Sequence, residues 1–252
     1  MPKSKLVHRF LPIFVALCFL AACQTGINSE SDKLTWTMSF YSLPDNLRIN
    51  FPCKNNFMKA AGMRKRCFSA MEGKAKIPAV IFMHGCGGLG GNSIDAMNLF
   101  SNAGYSVFAP NSFARPGRAR SCGRVRGVMH FRDAEIRQAL FELKKFSWID
   151  QSKLVLAGFS EGGIAAAEFG GSAFKARVIL GWGCSRGIAA SSDVPVLNLV
   201  GERDDQSSTG NDLCSVSGRP KSLARHTNSG HAVANDPNAV NIVRKFMQDV
   251  LN

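Results

Sequence analysis

The chain has 252 residues, 45% of them hydrophobic, with 31 Lys and Arg against 18 Asp and Glu and a formal net charge of +13. That length and apolar content suit one large domain with a real core, and they exclude a disordered or collagen-like chain. The eight cysteines point to an oxidising compartment if the chain is exported, which the N-terminus has to decide.

Lys3, Lys5 and Arg9 make a positive start, and Phe10 to Ala22 is an almost purely apolar run. The run is shorter than the roughly 20 residues of a bilayer span, and no later segment is longer. It closes on Leu20-Ala21-Ala22-Cys23, which looks like a bacterial lipoprotein signal, where cleavage leaves Cys23 to carry lipid. An ordinary secretory signal cut nearby is the alternative. The expected organisation is a signal over 1–22, a polar tether over 23–33 and a folded domain over 34–252. Gln24, rather than Asp, resembles the pattern sorted to an outer membrane, so the expected location is the cell envelope. Without residues 1–22 the basic count falls from 31 to 28 and the net charge to +10. Cys18 leaves with the signal and Cys23 is the lipid site, so Cys53, Cys67, Cys86, Cys122, Cys184 and Cys214 remain. An even number in an exported chain favours bridges, and no pair has the C-x-x-C spacing of zinc sites, so no metal is expected. Export and the lack of a recognition motif argue against nucleic-acid binding despite the charge.

Along the chain, Leu34, Trp36, Met38 and Phe40 alternate loosely and predict a strand over Leu34 to Tyr41. Cys67 to Met71 is expected to pair with it across a polar, basic loop from Phe51 to Arg66. From Ile77 onward the pattern changes to short apolar runs without alternation: Ile77 to Met83, Ser106 to Ala109, Leu154 to Ala157, Val178 to Leu180 and Val194 to Val200. Such runs suit strands buried on both faces of a parallel sheet. Lys221 to His226 is one further expected strand. Ile136, Ala139, Leu140, Leu143 and Phe146 share a helical face. A last helix is expected after Asp236 as N-cap and Pro237, with Val240, Val243, Phe246, Met247 and Val250 as its stripe. The alternation predicts a doubly wound, mostly parallel α/β sheet with helices on both faces and active-site loops at the C-terminal strand ends. No insertion is long enough for a large cap domain.

Gly158-Phe159-Ser160-Glu161-Gly162 follows one of those strands and precedes the small-residue run Gly163 to Ala167. This is G-x-S-x-G in a strand–turn–helix setting, where a serine on a tight turn is thrust above the sheet as a nucleophile. A plain glycine-rich turn is the bland alternative. An acid and then a histidine should follow. Asp204 in Gly201-Glu202-Arg203-Asp204-Asp205 is the expected acid, with Asp205 and then Glu202 as competitors. His231 in Ser229-Gly230-His231-Ala232 is the expected base, because it sits in a loop; His226 ends a strand. Two backbone N–H groups should hold an oxyanion: that of Glu161, and that of Cys86 in Met83-His84-Gly85-Cys86-Gly87-Gly88, with Gly87 as runner-up. His84 precedes the serine and is expected to order this loop rather than act as base.

The chain resembles the α/β-hydrolase superfamily and, within it, secreted proteins of the dienelactone hydrolase family. The resemblance runs from about Ile77 to Leu251 and rests on His84 to Gly88, Asn111 to Arg118, the Ser160 elbow, Gly201 to Asp204 and Gly230-His231. It implies an eight-stranded sheet and hydrolysis of ester or lactone bonds in a small molecule, without a cofactor. The name-giving enzymes carry a cysteine nucleophile where this chain has Ser160, so a serine esterase is the reading carried over. On the implied fold, Cys86 and Cys122 follow neighbouring strands, as do Cys184 and Cys214, while Cys53 and Cys67 flank one loop. Those are the three expected bridges, with free buried thiols as the alternative. Arg115, Arg118, Arg120, Arg124 and Arg126 crowd one acid-free stretch. One reading makes Arg115 and Arg118 contacts for an anionic substrate or envelope surface at the mouth; the other is a solvated, hydrogen-bonded loop. A serine peptidase or a non-catalytic envelope binding protein are the alternative functions. The oligomeric state has no sequence signal.

Overall fold

The structure is a computed structural model and describes residues 29–51, 53, 61–73, 76–118, 122, 125–206 and 211–252. The expected signal, Cys23, most of the tether, Arg120 and Arg124 lie outside the described residues, as does the side chain of Arg126.

The apolar runs become a parallel sheet of β2 (Ile77–Met83), β3 (Ser106–Ala109), β4 (Ile149–Phe159), β5 (Ala176–Leu180), β6 (Val196–Gly201) and β7 (Leu223–Thr227). A short β1 (Phe40–Ser42) adds antiparallel to β3, and the order is β1-β3-β2-β4-β5-β6-β7. Central β4 is flanked by β2 and β5, so its last residues emerge in the middle of the C-terminal edge. The resemblance implies eight strands; the described residues form seven.

Both faces are covered, which explains why these strands show no alternation. On one side α4 (Asn92–Asn102) and α7 (Ala239–Leu251) bring Met97, Phe100, Val243, Phe246 and Met247 against Val80, Phe82, Val155 and Val178. On the other lie α1 (Glu30–Thr37), α2 (Asp45–Asn50), α3 (Ala61–Met71), α5 (Met129–Leu143) and α6 (Glu161–Glu168), which bury Trp36, Leu47, Phe68, Ile136 and Ile164.

Two expected strand segments are helices. Glu30–Thr37 is α1 because Ser29 and Asp32 form a capping box: the Ser29 hydroxyl accepts from the Asp32 N–H, and the Asp32 carboxylate accepts from the Ser29 N–H. This local start signal outweighs the apolar alternation from Leu34 onward, and only Phe40–Ser42 is strand. It also moves the domain boundary, since residues 30–33, expected in the tether, belong to the folded body. Cys67 to Met71 is the end of α3, where Cys67, Phe68 and Met71 share one buried helical face. The last helix begins later than expected, at Ala239 after Asn238. Asp236 instead accepts from the Asn238 N–H at 2.7 Å and the Asn228 N–H at 2.8 Å.

Phe68 is the hub of the N-terminal packing. Its ring lies 5.2 Å from Tyr41, 5.7 Å from Phe108, 5.1 Å from Phe146 and 5.5 Å from Trp148. The Cys53–Cys67 bridge adjoins it. One side chain thus joins α3 to β1, β3 and the approach to β4. Phe68→Ala is expected to lower unfolding free energy by about 3–5 kcal/mol; urea titration of wild type and variant checks this, and a loss under 1 kcal/mol would show that the cluster does not hold α3.

Candidate active site

β4 ends in the elbow. Ser160 has φ 56° and ψ −117°, a conformation L-residues avoid, and its N–H donates to Leu180 O at 2.8 Å. The strain is held by crowding that only glycine permits. A Cβ on Gly158 would overlap the Gly162 carbonyl, and one on Gly162 would overlap the Met83 carbonyl of β2. The two motif glycines therefore let α6 start directly over the strand it follows, with its first N–H groups beside Ser160. At its other end α6 is held by Arg177 of β5, whose Nη2 donates to Phe169 O at 3.1 Å and Gly171 O at 2.8 Å.

The expected acid and histidine come together. Asp204 is buried, and its Oδ2 accepts from His231 Nδ1 at 2.8 Å. Its Oδ1 accepts from the Gln206 N–H at 3.0 Å. Asp205 and Glu202 are exposed, and exposed His226 bonds Asn211 O instead. The turn after β6 and the loop after β7 are locked to each other: Glu202 N–H donates to Thr227 O and Arg203 N–H to Ser229 O, both at 3.1 Å. Gly201 makes this possible, since a Cβ there would run into the Gly230 carbonyl. The His231 ring rests 4.9 Å from that of Phe159, and its Cε1 lies over Gly181, next to the Leu180 that receives the Ser160 N–H. With Nδ1 committed to Asp204, Nε2 is the nitrogen left for proton transfer.

β2 delivers the loop expected to complete the site. His84 is fully buried, its Nδ1 donates to Gly85 O at 2.7 Å, and its Nε2 accepts from the Ser112 N–H at 3.1 Å. It orders the loop. Gly85 N–H donates to Ser93 Oγ, and Gly85 abuts Phe159 of the elbow. Cys86 is bridged to Cys122; Cys184–Cys214 and Cys53–Cys67 complete the expected three pairs. Cys86–Cys122 and Cys184–Cys214 tie loops at the C-terminal ends of adjacent strands. Among the described residues no cluster of three or more His, Cys, Asp or Glu converges as metal ligands would.

The dienelactone hydrolase family model matches residues 66–251. The chain belongs to the dienelactone hydrolase family. Membership makes it a hydrolase acting on carboxylic esters. Among solved structures it is similar to m3DLH, at 20% identity and TM-score 0.53, covering 71% of this chain and 88% of that one. It is also similar to esterase PE8, at 20% identity and TM-score 0.48, covering 70% of this chain and 94% of that one. Among curated proteins no sequence match was found. The family match begins inside α3, so α1, β1 and α2 lie before the matched region.

Behind this family member's elbow lies a charge network that the sequence did not reveal. Glu161 is buried, and its Oε1 accepts from Arg118 Nη2 at 2.7 Å, Arg132 Nε at 2.9 Å and Arg132 Nη2 at 2.5 Å. Arg132 also reaches Glu135 at 3.2 Å and the His84 carbonyl at 2.8 Å. Glu135 accepts from Ser112 Oγ at 2.7 Å, and Arg115 pairs with Asp32 of α1 and lies 3.9 Å from Glu135. Three guanidinium groups thus meet three carboxylates out of water. The expectation that Arg115 and Arg118 contact an anionic substrate is corrected by this geometry: both are buried, with their charge directed at internal carboxylates. Arg132, Glu135 and Asp32 were missed. For Arg132 a signal existed, because it lies four residues before Ile136 on the buried face of α5, where a cation needs a partner.

Burial first, and then the facing Arg132 guanidinium, hold His84 well below the ordinary histidine value of 6.5. The neutral ring is therefore favoured in the folded state, so its contribution to stability is complete above 6.5 and is lost as pH falls below it, when the unfolded chain takes up the proton first. Wild type is expected to lose up to about 1.4 kcal/mol per pH unit more than His84→Gln between pH 6.5 and 5. Urea unfolding across that range checks this; parallel slopes in the two proteins would refute it.

Proposed function

We propose that the chain is a serine esterase in which Ser160, His231 and Asp204 act as a triad on carboxylic esters. The observation that carries this reading is the 2.8 Å bond from His231 Nδ1 to buried Asp204, on an imidazole packed against the Ser160 elbow. His231 Nε2 takes the Ser160 proton as Oγ attacks the ester carbonyl. The tetrahedral oxyanion is received by the N–H groups of Cys86 and Glu161, the latter at the N-terminus of α6. Collapse expels the alcohol, which takes the proton back from His231 and leaves an acyl-Ser160 ester. Water then attacks that ester by the same route in reverse and releases the acid. Asp204 holds the ring in the Nδ1–H tautomer and stabilises the imidazolium without itself taking the proton. The neutralised guanidinium groups behind the elbow favour no charged ester over a neutral one.

A fluorophosphonate is expected to label wild type and not Ser160→Ala, and His231→Ala and Asp204→Asn should lower kcat on p-nitrophenyl acetate by about 10³–10⁴. No labelling of wild type would favour the non-catalytic binding module. Faster turnover of peptide amides than of esters would favour the peptidase.

We further propose that the enzyme lies outside the cytoplasm, held to a cell-envelope membrane by lipid on Cys23. Support comes from Lys3, Lys5 and Arg9, the apolar run to Ala22 and the Leu20-Ala21-Ala22-Cys23 motif. The three bridges add to it, since such bonds persist in oxidising compartments. Cys23→Ser is expected to move the protein from the detergent phase to the aqueous phase on Triton X-114 partition; an unchanged distribution would refute the anchor.

A further inference from the structure

Arg132 of α5 is fully buried, and its guanidinium touches both halves of the site at once. Nη2 donates to Glu161 Oε1 at 2.5 Å and to the His84 carbonyl at 2.8 Å, while Nε makes a second bond to Glu161 at 2.9 Å. Glu161 carries one oxyanion donor on its own backbone. His84 stands two residues before Cys86, which carries the other. These two backbone segments come from different strands, β4 and β2, and one rigid planar group bridges them. Nη1 of the same group is held by Glu135 at 3.2 Å, one turn along α5, and Glu135 is in turn fixed by Ser112 Oγ.

We propose that Arg132 is a positioning residue of the oxyanion hole: its guanidinium sets the separation of the Glu161 and Cys86 N–H groups. The inference rests on the serine-esterase reading above. An oxyanion hole works only when both donors lie about 2.7–3.1 Å from the developing negative charge. A displacement of about 1 Å in such a group costs on the order of 10²-fold in rate. Lysine at this position keeps the charge but lacks the planar fork, so it cannot grip the carboxylate and the carbonyl together.

Arg132→Lys tests this, with rates normalised to sites titrated by a fluorophosphonate. The expected result is a fall in kcat for p-nitrophenyl acetate of about 30- to 100-fold, with KM within about threefold. Affinity for an aryl trifluoromethyl ketone should fall in parallel. In that adduct Ser160 Oγ bonds to the ketone carbon, its proton passes to His231, and the ketone oxygen becomes an oxyanion. Glu135→Gln keeps the side-chain shape but weakens the grip on Nη1, so a smaller loss in the same direction is expected, and it decides the matter if Arg132→Lys does not fold. A purely structural role would lower the yield or melting temperature while each titrated site kept its kcat. Retention of kcat within threefold in the variants that fold, or loss of kcat without loss of ketone affinity, would overturn the proposal. A wild type that neither hydrolyses esters nor takes the fluorophosphonate would remove the esterase reading itself, whereas an active wild type with unaffected variants removes only the role of Arg132.

Discussion

Glu161 directly follows the strained serine, and its carboxylate is met by two guanidinium groups where water does not reach. Ions buried in this way are costly: desolvation is offset only when every charge has a partner in good geometry. Here pooling sets each charge against an opposite one, while Glu161 Oε2 and Arg115 Nε are left without a hydrogen bond. Arg115, Arg118 and Arg132 face Asp32, Glu135 and Glu161, with Ser112 and the His84 carbonyl taking further donors. Removing any one member strands its neighbours, which is the circumstance in which buried pairs cost several kcal/mol. The network thereby joins α1, the loop after β3, α5, the β2 loop and the head of α6 into a unit that cannot relax one part at a time.

The rest of the site is suspended from that unit and from the sheet. β4 places Ser160 centrally, and β6 and β7 end beside one another, so their loops can interlock through two backbone hydrogen bonds and the contact at Gly201. Asp204 and His231 arrive as one preassembled piece. The Ser160 elbow arrives as another, and the loop from His84 to Gly88 as a third, tied by a bridge and by Arg132. Precision comes from rigid strand ends rather than from long loops.

What the sequence made legible was local. The elbow, the Gly201 to Asp204 turn and the Gly230-His231 loop are each a few consecutive residues whose chemistry is visible in order; in the structure His231 bonds Asp204 and its ring packs beside Phe159 of the elbow. Apolar runs marked the parallel strands for the same reason. What stayed hidden was pairing across distance. Arg115 and Arg118 looked like a solvent-facing basic loop because their partners Asp32 and Glu161 lie 83 and 43 residues away. The strand expected from Leu34 fails for a different reason: its period-two alternation is overridden by the Ser29–Asp32 box just before it, which starts a helix.

The three bridges share an arrangement that bears on how the chain is made. They join Cys53 to Cys67, Cys86 to Cys122 and Cys184 to Cys214, so each of these cysteines pairs with the next in line and no loop encloses another. A chain threaded N-terminus first into an oxidising space would meet its partners in that same order. An oxidase that simply links the two most recently emerged of these thiols would produce the native set, with no wrong pair left for an isomerase to undo.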